Sequence, residues 1–504
     1  MNRSKSLSFL PVLLLAALSL ASCSGPYKPC TVNCGGTGTA TVSLTLVADT
    51  LPPNPSILSF KVTIVAITLT PTSGTALTFQ PPSPIVIDLM RLQSDTALLG
   101  SLTNVPSGSY TVQVSLSSPE ITFLNDTSST ITANGVRCLS NHVCTATITS
   151  VGTPTIGSFT LSATSGGKQG IEFDFNLNNA ISLSSGTLAI NFNPSSPSPG
   201  VLTAFTLPRT NANLGANQLE LTEDFTGVVS ISGSNVTITS PTRGTLTATS
   251  TSNSFFDPSP DGVICPTPST ISCVVAGQIA SVDAFLKSDG TLELKEFEPL
   301  NANQQDFVEG TVYAVNTPTQ FAIAVTDKVQ LATNSLISGL NTGDLLTVDI
   351  TTPTFLVDTK GLAVPAGSLG QFQGQSDTNA VHPGQTIALH VTVFVAANGT
   401  TIAAATADTV ILRWSRLIAT PTTASATTVN VNAVPSYFNI TPASVFPTQV
   451  FSGTLGSQGV TNLDGITTAA NLIIGAPVGL RVLYLENTTN SAQFPFMAAK
   501  IRQH

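Results

Sequence analysis

The chain has 504 residues, 41% of them hydrophobic, 9% charged and 6% aromatic, with a formal net charge of −9. So much apolar material excludes an intrinsically disordered chain, and an acidic, sparsely charged one lacks the basic patch of a nucleic-acid binder. Thr, Ser, Val, Ala, Gly and Pro dominate, and strand formers with frequent Gly/Pro punctuation predict an all-β protein of about three or four domains.

The first element is a leader. Arg3 and Lys5 precede an apolar run from about Leu7 to Ala21, a charged segment followed by a hydrophobic one too short for a membrane span of ~20 residues. Export is the expectation. Leu20-Ala21-Ser22-Cys23 resembles the bacterial lipobox. That resemblance implies a signal peptide of residues 1–22, cleaved before Cys23, with acylation of the Cys23 thiol and of the new amino terminus. Several acyl chains anchor durably where one holds only marginally. The membrane is therefore a partner through acylated Cys23. Ser24, in place of a retaining aspartate, implies the outer membrane or cell surface. Losing Arg3 and Lys5 takes the net charge to −11. Residues 23–39 read as a Gly/Thr-rich tether, and no later segment is long and apolar enough to span a bilayer.

With Cys23 assigned to lipid, six cysteines remain in close pairs: Cys30/Cys34, Cys138/Cys144 and Cys265/Cys273. An even count in an exported chain predicts disulfides, and the spacing suggests three local clasps. Cys138-Leu139-Ser140-Asn141-His142-Val143-Cys144 also has the look of a zinc half-site. A structural zinc needs four ligands, and no second His/Cys cluster accompanies it, so no metal is expected.

Strand signals begin at Thr41–Leu46, where apolar and small polar residues alternate, so that one face is buried and the other wet. The period of two recurs at 59–71, 109–118, 157–163 and 171–177, with a turn at Pro106-Ser107-Gly108. Only 87–102 invites a short helix. Several strands separated by turns predict a β-sandwich over residues 40–210. Asp88-Leu89, Leu98-Leu99-Gly100, Pro106-Ser107-Gly108-Ser109-Tyr110 and the Asp174-Phe175-Asn176-Leu177 strand resemble the bacterial envelope family catalogued as domain of unknown function 4382. The resemblance implies a carbohydrate-binding-like, prealbumin-type sandwich and a surface location. Its carbohydrate label is an analogy of fold.

The second half repeats a plan. Gly277, Gly384 and Gly475 each open a strand, followed by a turn at Asp289-Gly290, Asn398-Gly399 or Asn487–Asn490 and a closing strand. Asp-Gly and Asn-Gly are hairpin signals. Upstream, Asp224-Phe225-Thr226-Gly227 and Asp306-Phe307-Val308-Glu309-Gly310 open two of the units alike. The plan resembles the small β-barrel family catalogued as domain of unknown function 5666. It implies about three tandem barrels, at 219–302, 303–420 and 421–504.

No constellation of catalytic residues stands out. His142 lies between paired cysteines, His382 precedes Pro383, His390 alternates with apolar residues on a strand, and His504 is the last residue. No Gly-x-Ser-x-Gly elbow, phosphate-cradling loop or Cys-x-x-Cys motif is present. Glu172 and Asp174 share a strand face, as a glycosidase pair could, but alternation with Phe173 and Phe175 assigns them to the wet side. Asp174, Asn176 and Asn178 offer oxygens of the kind calcium takes, without a loop of metal-binding spacing around them. The sole tryptophan, Trp414, stands between Arg413 and Arg416 and is the candidate ligand-contact residue, as a stacking platform or as a covered barrel end. The expectation is a non-enzymatic lipoprotein without cofactor, touching polysaccharide or extracellular matrix. The alternatives are a specific carbohydrate-binding protein and an envelope glycoside or ester hydrolase.

Overall fold

The computed structural model describes residues 38–503 apart from 50–55, 149–151, 194–199, 212, 258–269, 302–304, 332–333, 361, 363, 365, 400, 432–433, 439–447, 452–453, 456–458 and 486–495. The fold is all-β. Two sheets form the N-terminal sandwich. One orders its strands Leu202–Thr206, Lys168–Phe175, Thr39–Ala48, Ala97–Pro106; the other orders Thr155–Leu161, Gly108–Leu124, Ser56–Pro71, Leu77–Phe79. Leu44, Leu46, Phe60, Val112, Val114, Phe173 and Phe175 meet between them in one core, as strand alternation requires. The stretch expected to be a short helix is instead a single 3-10 turn at Arg91–Gln93 leading into the strand Ala97–Pro106.

The face of Thr39–Ala48 expected to be wet is also covered. Ser43 and Thr45 are buried, and Thr45 donates its hydroxyl to the Ile171 carbonyl at 3.3 Å. This strand runs parallel to Lys168–Phe175, and such pairs generally need both faces covered. The cover comes from the units that follow the sandwich. Thr222 donates its hydroxyl to the Thr96 carbonyl at 3.0 Å, and Arg502 donates to the Leu92 and Asp95 carbonyls.

Three units follow that share a five-strand plan with one connectivity, to which the first adds the short strand Phe255–Phe256 and the last Asn462–Asp464. In the middle unit Asp306–Thr317, Gln320–Val329, Leu345–Val357, Ala403–Arg413 and Thr386–Val395 close a barrel in that order. Its third and fifth strands in chain order, Leu345–Val357 and Ala403–Arg413, run parallel. The unit before it has the same pairings among Gln218–Ser232, Asn235–Ser240, Gly244–Thr249, Ile279–Lys287 and Leu292–Asn301, and closes through the parallel pair Thr249↔Glu293. In the last unit the first strand is broken into Ser415–Ala419 and Pro421–Ala424; the former pairs with Val478–Tyr484 and the latter with Thr428–Val431. Its third and fifth strands, Thr448–Phe451 and Phe496–Gln503, are again parallel. The last unit therefore begins at Ser415, ahead of the expected boundary at 421, because Ser415–Ala419 is bonded into the last sheet.

The repeat extends to backbone detail. A 3-10 turn, Ile271–Cys273, Thr378–Ala380 or Ala469–Asn471, precedes each strand-opening glycine at the same offset. Gly277, Gly384 and Gly475 have φ of 89°, 94° and 86°, a region that disfavours any side chain. Each donates its N–H to the first strand of its own unit: to Val229, Val312 and Pro421 respectively, at 2.9, 2.8 and 3.0 Å. Gly227 and Gly310 are matched too, since a Cβ would fall 2.4 Å from the Thr239 carbonyl oxygen in one and 2.6 Å from that of Ala324 in the other. The Asn487–Asn490 turn lies outside the described residues.

Candidate functional site

The chain is sparsely charged, yet about half of its charged residues are buried. Alternation explains how they come to be there. On Val478–Tyr484, Leu480, Val482 and Tyr484 fill the last barrel's core while Arg481 faces outward. On Asp306–Thr317, Val308 and Val312 face in and Glu309, by the period of two, faces out. On Phe496–Gln503, Ile501 faces in and Lys500 and Arg502 face out. These outer faces pack on one another and on the sandwich, so the charges meet in an interior junction instead of in water.

Asp224 stands at its centre, on the first strand of the first barrel. Its carboxylate lies 3.2 Å from Lys360 Nζ and 3.9 Å from Arg413, both of the middle barrel. It lies 2.5 Å from Arg481 and accepts from Arg416, both of the last barrel. Arg91 of the sandwich approaches within 3.9 Å. Every other unit thus supplies a cation to one carboxylate. Burial alone would raise the Asp224 carboxyl; Arg481, Lys360, Arg416 and Arg413 overcome it and hold it well below the usual carboxylate range.

Further pairs radiate from this node. Arg413 reaches Glu298 and Asp358 through Nη1, at 2.5 and 2.7 Å, and Glu309 through Nε at 3.2 Å. Arg91 donates to Asp327 at 2.8 Å, and Arg416 to Asp95 at 2.9 Å. Lys500 donates to Glu223 and Arg502 to Asp464, at 2.5 and 2.7 Å. Against the opposing cost of burial, Lys360 and Lys295 bring Asp283 down to about 2. Arg502 and Lys500 do the same for Asp464, also to about 2. Desolvation consumes most of the Coulombic gain of such a network, so its net contribution to stability is far smaller than the number of pairs suggests.

Glu172 and Asp174 do not occupy a wet face. Both are buried, because the C-terminal barrels cover the outer side of their sheet. Arg209 donates to Glu172 at 2.8 Å and lies 3.9 Å from Asp174, with its guanidinium over the Phe205 ring. Burial, with Asp49 and Glu172 nearby, pushes the Asp174 carboxyl up to about 8. Asn176 caps the short helix Leu177–Ala180 by accepting from the Asn179 N–H at 3.0 Å, and among the described residues no group of His, Cys, Asp and Glu is arranged to hold a metal ion.

Trp414 is not a platform for a ligand. It has no exposed surface and belongs to the core that joins the middle barrel to Leu483, Leu485 and Met497 of the last. Its two arginine neighbours face the ionic junction. Cys138 and Cys144 form a disulfide, which spends both would-be zinc ligands and ties the strand Val136–Cys138 to Val143–Thr147. His142 turns its Nδ1 to the Ser140 carbonyl at 2.9 Å. Cys273 is also disulfide-bonded; its expected partner Cys265, like Cys23, Cys30, Cys34 and His504, lies outside the described residues. His390 is buried, with Nε2 2.5 Å from the Leu300 carbonyl. His382 sits in the turn before Gly384, its ring 6.3 Å from that of Tyr484.

One open cleft contrasts with the charged interior. At an end of the sandwich, Pro71–Thr75, Asn104, Pro106–Tyr110 and Thr160–Ala163 line a depression without an Asp, Glu, Lys, Arg or His. The junction carries no sequence signature, being built of charges scattered over all four units; the cleft includes the Pro106-Ser107-Gly108-Ser109-Tyr110 stretch, which the sequence marks as a turn and not as a site. Comparison with protein-family models, curated proteins and solved structures yields no match. Among the described residues no helix is long and apolar enough to cross a membrane.

Proposed function

We propose that the chain is a non-enzymatic lipoprotein of a bacterial envelope, anchored through Cys23 to the outer membrane or cell surface. There it makes adhesive or scaffolding contacts with polysaccharide or extracellular matrix. The observation that carries this reading is where the charge goes. Arg91, Lys360, Arg413, Arg416 and Arg481 are met inside by Asp95, Asp224, Asp283, Glu298, Glu309, Asp327 and Asp358, and about half of an already small number of charges remain for a surface where short Thr and Ser side chains, which order at low entropic cost, are frequent. Such a surface suits weak, repeated contacts. The Leu20–Cys23 box supplies the anchor and the interlocked units a firm block to present. The resemblance of the sandwich to domain of unknown function 4382 implies the same envelope setting.

Intact mass of the native protein tests the anchor: cleavage before Cys23 plus acyl chains is expected, and a full-length unacylated mass overturns it. Retention of the full chain on immobilised polysaccharides and matrix proteins tests the contact role. Turnover of pooled glycoside or ester substrates, abolished by replacing one carboxylate or histidine, would overturn the non-enzymatic reading.

A further inference from the structure

The cleft at the sandwich end has a lining that carries no charge and is open to solvent. We propose that it is a binding site for an uncharged, hydroxyl-rich chain, a neutral polysaccharide in chemical class. The proposal rests on the contact reading above and places that contact.

The lining matches such a ligand in three ways. First, it holds no ionic group, so it neither attracts a charged polymer nor pays to desolvate a charge of its own. Second, Thr72, Ser73, Thr75, Asn104 and Ser162 are exposed there and bring side-chain donors and acceptors of the kind that sugar hydroxyls pair with. Third, Pro71, Leu77 and Pro106 add apolar surface against which ring C–H groups can lie.

The walls are also fixed in advance, which lowers the ordering cost of binding. Ser107 donates its hydroxyl to the Ala163 carbonyl at 2.8 Å and accepts from the Ala163 N–H at 2.7 Å. That reciprocal pair locks the turn to the opposite wall. Tyr110, buried beneath, donates to the Pro106 carbonyl at 2.5 Å. Ser109 and Thr160 share a hydrogen bond at 3.1 Å across the strand pair.

The position adds a constraint on where the ligand lies. Ser107 donates its N–H to the Gly38 carbonyl at 3.3 Å, so the described chain begins at the rim of the cleft. At ~3.5 Å per residue the stretch from Cys23 to Gly38 spans at most about 50 Å. An anchored chain therefore holds the cleft within that distance of the bilayer, and the glycan it takes is one close to the membrane surface.

Affinity electrophoresis of the purified full chain through gels containing dextran, a β-1,3-glucan or alginate tests this. Retardation by a neutral glucan and not by alginate is expected. The double variant Thr75→Glu/Ser162→Glu, which puts two carboxylates into the cleft at exposed positions, should bind at least tenfold more weakly. Its urea midpoint should not move, and Thr392→Glu on the middle barrel should bind as the native chain does. Retardation unchanged in the double variant overturns the cleft and leaves the contact role standing. So does retention on matrix proteins with none on either glucan. Retardation by alginate alone overturns the ligand class, and no retention on any glycan or matrix protein overturns both readings.

Discussion

Arg481 Nη2 lies 2.5 Å from Asp224 Oδ1, joining the last barrel to the first at a point where neither is in contact with water. Around that pair the cations of three units converge on one carboxylate. Replacing Asp224 by Asn keeps the volume and removes the charge, leaving Arg481, Lys360 and Arg416 facing one another in the interior. Breaking a buried pair from one side costs about 3–5 kcal/mol. Asp224→Asn should lower the urea midpoint by a corresponding amount and expose the inter-unit connections to limited proteolysis. A midpoint within error of the native chain would show that water enters the junction and screens it.

Acid should act on the same network in a defined window. Asp283 and Asp464, each about 2 in the folded chain against an ordinary 3.8, bind fewer protons folded than unfolded between those values. Stability therefore rises with pH across that interval. It should be fully present above about pH 4 and fall steeply from there to about pH 2. Circular dichroism melts at half-unit steps would check it, and a loss beginning near pH 6 would point to other groups.

Asp174 carries the opposite sign. Its folded value of about 8 lies above the ordinary 3.8, so between those limits the folded chain holds the extra proton and its contribution declines as pH rises. Asp174→Asn, a neutral mimic of the protonated acid, should match the native chain near pH 4 and melt at a higher temperature at pH 8. An equal slope for both proteins over that range would remove Asp174 from the account.

The same residue shows how far a period-two pattern reaches. Alternation puts Phe173 and Phe175 in the sandwich core, where they are, and it puts Glu172 and Asp174 on the other face. It does not say whether that face meets water. The answer depends on packing between units, through Arg209 and the C-terminal barrels, and those contacts join residues far apart in the chain with no local signal. Charges on outer faces of strands, in a chain with so few of them, were the available hint. The repeat was more legible, because Gly277, Gly384 and Gly475 answer a local backbone requirement that leaves a mark in the sequence. The boundary at Ser415 was not, since Thr420 interrupts a strand whose two halves pair with different neighbours.

Trp414 offers a direct optical check on the junction of the last two barrels. As the sole tryptophan, fully buried, it should emit at short wavelength and resist quenching by acrylamide. Saturating dextran should leave both properties unchanged. Trp414→Ala should cost about 3–5 kcal/mol, the range for truncating a buried Trp. Ready quenching in the native chain would contradict the packing of Trp414 against Leu483 and Met497.

The three equivalent glycines separate local strain from contact between units. Gly277 and Gly475 face open space, whereas a Cβ on Gly384 would sit 2.4 Å from the Phe438 ring, itself packed on Tyr484 and Phe496 of the last barrel. Alanine at Gly277 or Gly475 should cost about 1–2 kcal/mol from left-handed backbone alone. Gly384→Ala should add about 1–3 kcal/mol of overpacking to that. It should also shift Trp414 emission to longer wavelength, because relieving the clash means moving Phe438 and loosening the interface that shields the indole. The position has one geometry in all three barrels, so the excess at Gly384 measures the contact between the middle and last barrels. Equal losses at the three glycines, with Trp414 unmoved, would mean that the Phe438 ring yields freely and that the contact at Gly384 adds nothing to the joint between those two barrels.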